Sequence, residues 1–206
     1  MILLYTWKVP NGQKISIALE ELGLPYTVHP IDITKNEQYS PAFSALTPNN
    51  KVPVIVDDEG PKGKKITVME SGAILIYLSG KVGQLLPARL SDRFATFEWL
   101  MFQASSVGPI LEQARHFLRF APEVIPYAIE HYSKEASRIY SVIDARLKDR
   151  PWLAGKEYSI ADIATYPWLA QYKSQGMDLK RFPNIGRWLQ VMQERPSVQR
   201  GMEVPE

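Results

Sequence analysis

Ile66-Thr67-Val68-Met69-Glu70-Ser71-Gly72-Ala73-Ile74-Leu75 changes its period halfway along. Ile66 to Met69 has the length and the β-branched content of a strand. From Ser71 an apolar stretch of helical length runs to Lys81, and Val82-Gly83 ends it. Glu70 and Ser71 therefore stand where a strand gives way to a helix. A helix start offers unpaired N–H groups and the positive end of a dipole. Ser71 with those donors can take a carboxylate, and Glu70 can take an ammonium. Together they fit the α-amino acid head group of a small peptide.

Working back, Val54-Ile55-Val56 reads as a strand. The polar turn Asp57-Asp58-Glu59-Gly60-Pro61 and the lysines after it join it to Ile66–Met69 as a hairpin. Ile2 to Thr6 is a further short strand, broken at Pro10-Asn11-Gly12. Ile15, Ala18, Leu19 and Leu22 then follow a helical repeat, which Gly23-Leu24-Pro25 stops. Tyr26 to Ile33 alternates as a strand. The order is β-α-β, a loop with one helical turn, then β-β-α. It predicts an α/β thioredoxin-like domain with a four-stranded mixed sheet.

Working forward, strand signals stop at Ser91. Arg93–Ala104, Ile125–Lys148, Ile160–Tyr172 and Ile185–Glu194 carry helical spacing. In Tyr158-Ser159-Ile160-Ala161-Asp162, Ser159 is an N-cap candidate and Asp162 reaches back to it, with Tyr158 free to pack on Ile163; this pair reads as structural. Gly, Pro87 and polar residues gather over 84–90. The expected organisation is residues 1–83 as the thioredoxin-like domain, 84–90 as a linker, and 91–206 as an all-α domain.

Bulk properties narrow the chemistry. The 206 residues carry 24 basic and 22 acidic side chains, a formal charge of +2, with no block of like charge to bind nucleic acid. The absence of cysteine removes structural disulfides, a cysteine nucleophile and thiolate zinc sites. His29, His116 and His131 do not fall at metal-ligand spacing. Met1–Lys8 lacks the form of a signal peptide, and no apolar run approaches the ~20 residues that span a bilayer. The expectation is a cytoplasmic chain without membrane or nucleic-acid partners.

In an α/β sheet, ligands collect beyond the carboxyl ends of parallel strands. Thr6–Gly12, Asn50–Pro53 and Glu70-Ser71 all belong to that edge. Val52-Pro53 is a candidate cis bond that would turn the Val52 N–H and C=O outward to pair with a peptide backbone; the alternative is a trans proline opening a strand. Asn11 is either the N-cap of the first helix or part of an anion site there. If the anion is a thiol sulfur, the helix start lowers its pKa and favours the nucleophilic thiolate. The ligand would then supply the sulfur that the chain lacks. Trp7, Val9, Phe117 and Phe120 are either an apolar wall for a second substrate or packing residues, His116 either faces a cleft or solvates a helix end, and Tyr5 reads as core.

Five segments in order carry a resemblance: Pro10-Asn11-Gly12-Gln13-Lys14, Pro48-Asn49-Asn50-Lys51-Val52-Pro53, Glu70-Ser71-Gly72-Ala73-Ile74, Ile125-Pro126-Tyr127-Ala128-Ile129-Glu130 and Tyr158-Ser159-Ile160-Ala161-Asp162. Over nearly its whole length the chain resembles the glutathione transferases, in particular the bacterial nu class and the fungal group related to the yeast nitrogen regulator. The resemblance implies a homodimer that binds glutathione as co-substrate, with no metal. It implies that Glu70 and Ser71 hold the γ-glutamyl end, Val52 beside a cis Pro53 pairs with the cysteinyl backbone, Gln38 and Lys51 meet the glycine carboxylate, and Asn11 lies beside the sulfur. Two positions depart from the nu-class pattern. Val9 replaces a threonine and has no hydroxyl to offer the sulfur. His131 replaces an arginine near a second glutathione.

Two functions compete. One is an enzyme that uses the glutathione thiolate for disulfide reduction, conjugation or peroxide reduction. The other is a non-catalytic glutathione- or ligand-binding regulator.

Overall fold

The computed structural model describes Met1–Pro205. In chain order the first elements are β1 (Ile2–Thr6), α1 (Pro10–Leu22), β2 (Tyr26–Pro30), the short α2 (Pro41–Ser44), β3 (Val54–Asp57), β4 (Ile66–Met69) and α3 (Ser71–Val82). Then follow α4 (Leu90–Phe102), α5 (Gly108–Arg119), α6 (Pro126–Leu147), α7 (Ile160–Leu169), α8 (Pro183–Gln193) and α9 (Pro196–Met202). Among the described residues no helix is long and apolar enough to cross a membrane.

The first unit comprises Met1–Gln84 together with the residues from Glu194 onward. Its sheet has the order β2-β1-β3-β4, with β1 parallel to β2 and antiparallel to β3, and β3 antiparallel to β4. This is the expected thioredoxin-like arrangement. β1 alternates, with Ile2, Leu4 and Thr6 buried, whereas all four residues of the inner strand β3 are buried. β2 is shorter than the sequence predicts. It stops at Pro30, and Asp32 then caps a 3₁₀ turn over Ile33–Lys35 by accepting from the Thr34 N–H at 2.9 Å.

α1 is buried on more than the predicted face: Ile17 is as inaccessible as Ile15 and Leu19. α9 covers that second face. Ser16 Oγ donates to the Gly201 carbonyl at 2.5 Å, Gln13 Nε2 donates to the Met202 carbonyl at 2.9 Å, and a Cβ on Gly201 would overlap the Ile17 backbone. Burying Ile17 and Val198 contributes about 1.5–3 kcal/mol each. α3 is anchored to β3 by charge. The buried Asp57 carboxylate accepts from Tyr77 Oη at 2.6 Å and pairs with Lys81 Nζ at 2.8 Å.

The second unit is Leu85–Gln193. The sequence assigns 91–206 to one helical domain; the structure differs in returning residues from Glu194 on to the first unit. α7 is buried along its whole length. At its start Ser159 and Asp162 form the capping box. Asp162 Oδ1 also accepts from the Leu153 N–H at 2.9 Å and from Trp188 Nε1 at 3.1 Å, and the Tyr158 ring packs on Trp152. α5 was not among the predicted helices. A π turn over Gln103–Val107 carries helical backbone from α4 into α5. Pro109 falls in the first turn after it, where a missing N–H does little harm.

Candidate functional site

β1 runs into a tight loop in which the Val9 N–H donates to the Trp7 carbonyl at 2.7 Å. A Cβ on Gly12 would overlap Thr6 Oγ1 and the Trp7 carbonyl, so only glycine lets α1 begin this close to the loop. Val9 is the N-cap, with extended backbone and no side-chain capping bond, and Pro10 follows as the first helical residue. The N-cap alternative for Asn11 is therefore overturned: the helix has already begun, and Asn11 lines a cleft. No acidic residue occupies the first turn of α1, so the helix's own first turn does not neutralise its positive end.

The second wall precedes β3. The Val52–Pro53 peptide is cis. Sheet pairing begins at Val54, opposite Tyr5 and Met69, which leaves the Val52 N–H and C=O outside the ladder. Asn50 (φ 51°) turns the chain in the left-handed region, which asparagine tolerates, and its Oδ1 accepts from Ser44 Oγ at 2.6 Å.

The third wall is the junction of β4 and α3. Glu70 is its N-cap, with φ 68° and ψ 117°. Such a conformation costs a non-glycine residue about 1–3 kcal/mol, and strain of this kind gathers where a side chain must be aimed. Its carboxylate is exposed, with Asn49 Nδ2 at 3.4 Å. Ser71 is the first residue of α3, whose first turn also carries no acid.

Asn11, Lys51, Val52, Pro53, Glu70 and Ser71 thus line one cleft, joined by Thr47, Asn49 and Met69. Gln38 is not on this wall; it sits in a 3₁₀ turn over Glu37–Tyr39 with its Oε1 buried and without a partner. His131 lies on α6 in the second unit, exposed, stacked on Tyr127 (6.1 Å, 21°) and edge-on to Tyr132 (5.1 Å). Tyr5 stacks on His29 at 4.9 Å and also meets Phe43, as a packing residue would. Phe117 stacks on Tyr132 at 5.3 Å, and Phe120 lies under the Arg115 guanidinium.

Sequence reasoning missed Thr47, Asn49 and Lys14. Thr47 and Asn49 belong to the segment that leads into Val52-Pro53, and that proximity was the available signal. Lys14 is a charge in an apolar helix stretch, three residues after Asn11. Burial pushes its amine down to about 7, against the opposing pull of the Glu70 carboxylate.

The profile described as Glutathione S-transferase, N-terminal domain, matches residues 10–80, and that described as Glutathione S-transferase, C-terminal domain, matches residues 127–196. The chain belongs to the glutathione S-transferase family. One relative within this family, the disulfide-bond oxidoreductase YfcG of Escherichia coli (strain K12), is 43% identical over 198 residues, which cover 96% of this chain and 92% of that protein. Solved glutathione transferases agree in fold. One from Pseudomonas putida, with one glutathione disulfide bound per subunit, has a TM-score of 0.96 and 40% identity, covering 100% of this chain and 92% of that one. Another from Pseudomonas fluorescens pf-5, with two glutathione bound, has a TM-score of 0.94 and 41% identity, covering 99% and 93%. A glutathione S-transferase with no cysteine must take every reacting sulfur from its ligands.

Proposed function

We propose that this glutathione S-transferase is a glutathione-dependent enzyme that holds the thiolate at the start of α1 and uses it to reduce disulfides, with attack on carbon electrophiles or peroxides as related activities. The observation that carries this reading is the meeting of Asn11, the out-of-ladder Val52 backbone and Glu70-Ser71 on one cleft. Glu70 takes the ligand ammonium, and Ser71 with the α3 start takes its α-carboxylate. Val52 pairs with the cysteinyl backbone as an added strand would. Lys51 is the cation for the glycine carboxylate. Asn11 and the α1 start lower the thiol pKa and aim the sulfur.

With a mixed disulfide of glutathione as substrate, the bound thiolate attacks the glutathionyl sulfur. The old S–S bond breaks and glutathione disulfide forms. The electron pair leaves with the other thiolate, which then takes a proton from water. Disulfide reduction is preferred because YfcG is named for that activity and the Pseudomonas putida relative holds glutathione disulfide. His131 is assigned to a second glutathione. A cytoplasmic setting, where glutathione is kept reduced, suits this chemistry. We infer a homodimer as well: Leu90, Phe94 and Met101 stand exposed along α4 at spacings of one helical face, a stripe that a second copy would cover.

Purified protein supplied with glutathione should turn over hydroxyethyl disulfide above background. If that disulfide, cumene hydroperoxide and chlorodinitrobenzene all stay at background while glutathione is bound, the enzyme reading fails. The second reading, a glutathione-binding regulator, is favoured by Val9, which caps α1 without a hydroxyl to offer the sulfur.

A further inference from the structure

Lys14 stands on α1 between the cleft residue Asn11 and the core residues Ile15, Ala18 and Leu19, and is only 2% exposed. Lysine is seldom buried so fully unless its head group has a specific partner. Lys14 Nζ donates to Ser71 Oγ across 3.1 Å, and Ser71 lines the cleft from the first position of α3. Once protonated, Lys14 has donors only, so Ser71 Oγ then accepts from it and the serine O–H is free to donate to another acceptor.

We propose that Lys14 is a positioning residue for the anionic end of the cleft: it holds the Ser71 hydroxyl as a donor toward the ligand carboxylate and takes up a proton as that carboxylate docks. This rests on the reading of the cleft as a glutathione site and adds a pH dependence to it. The head group of glutathione is a zwitterion. Its ammonium goes to Glu70, and its carboxylate goes to the hydroxyl bonded to Lys14. The new negative charge therefore lands nearest Nζ and favours the ammonium form.

From the β4–α3 junction, Glu70 faces Lys14 and opposes the effect of burial, which pushes the amine down to about 7. On α3, Lys81 and Tyr77 are engaged with Asp57. On α9 and at its two ends, Arg195, Arg200 and Glu203 pair with Glu21, Glu20 and Lys8. Lys51, on the cleft rim, is exposed to solvent.

S-methylglutathione is the suitable probe because it has no ionisable thiol. With lysine Cε labelled with carbon-13, one resonance of the wild-type protein should titrate near pH 7, well below the ordinary lysine range. That resonance should be absent from Lys14→Arg. Adding S-methylglutathione should raise its midpoint by at least about one pH unit, equivalent to roughly tenfold tighter binding to the protonated form. Binding by calorimetry without any shift of a lysine midpoint would overturn the inference and leave the glutathione reading standing. A calorimetric trace with no heat from S-methylglutathione or glutathione would overturn both.

Discussion

Arg195 grips Glu21 with two prongs of its guanidinium, Nε to Oε1 at 2.7 Å and Nη2 to Oε2 at 2.8 Å. The pair joins residues 174 apart in sequence, and the Glu21 side chain is only 8% exposed. It fastens the segment that opens α9 to the far end of the helix whose first turn carries Asn11.

Replacing Arg195 with alanine leaves the sheltered Glu21 carboxylate without this partner. The Arg195→Ala protein should lose about 2 kcal/mol of stability, seen as a lower urea midpoint. Activity per folded molecule should stay within about twofold of wild type, because the cleft residues lie at the other end of α1.

Gly12→Ala acts at the cleft itself. The added methyl overlaps Thr6 Oγ1 and the Trp7 carbonyl, of which the second is backbone and cannot swing aside. The α1 start must move away from the loop, with a stability loss of about 1–3 kcal/mol. Displacing Asn11 in this way should lower kcat/KM with glutathione by about tenfold or more. Steady-state kinetics on the folded variant check it.

Glu70→Gln keeps the shape of the side chain and removes its charge. If Glu70 takes the ligand ammonium, the loss is one charge-assisted bond, about 1.5–3 kcal/mol, and KM for glutathione rises roughly tenfold to a hundredfold. Because the contact lies away from the sulfur, kcat should change little. A fall in kcat at constant KM would assign Glu70 some other role.

The sheet and the three cleft segments were legible because each rests on local chemistry: the period of Ile2–Thr6 and Ile66–Met69, the stop at Gly23-Leu24-Pro25, and the acid and hydroxyl at a strand-to-helix change. α9 was not. It is seven residues long, and its attachment to α1 depends on Gly201 meeting the Ile17 backbone, a tertiary contact that no periodicity announces. α5 was hidden too: the π turn before Gly108-Pro109 keeps the backbone helical where those two residues resemble a break. Gln38 was assigned to the site by resemblance. The 3₁₀ turn that carries it leaves it off the cleft wall, and loop sequence alone does not aim a side chain.

Asp162 gives a pH test of the second unit. Its buried carboxylate accepts from Leu153 N–H, Trp188 Nε1, Ser159 N–H and Ser159 Oγ. Asp162→Ala orphans those donors and should cost about 3–5 kcal/mol. Burial pushes the carboxyl up to about 6, against these bonds, from an unfolded value near 3.8. Between those values the folded protein binds more protons than the unfolded chain, so the Asp162 contribution is greatest below the lower one and declines as pH rises toward the upper one. The difference in unfolding free energy between wild type and Asp162→Ala should therefore shrink from about pH 4 to about pH 6 and level off above.

If this chain without cysteine ionises a borrowed sulfur at the opening of α1, the ultraviolet absorbance of the thiolate, followed against pH in the complex with glutathione, will report it. The bound thiol should titrate at least about one unit below the ~8.5 of a free thiol and return toward that value in Asn11→Ala. A bound thiol that titrates like free glutathione in saturated wild-type protein is the opposite result and rules this ionisation out.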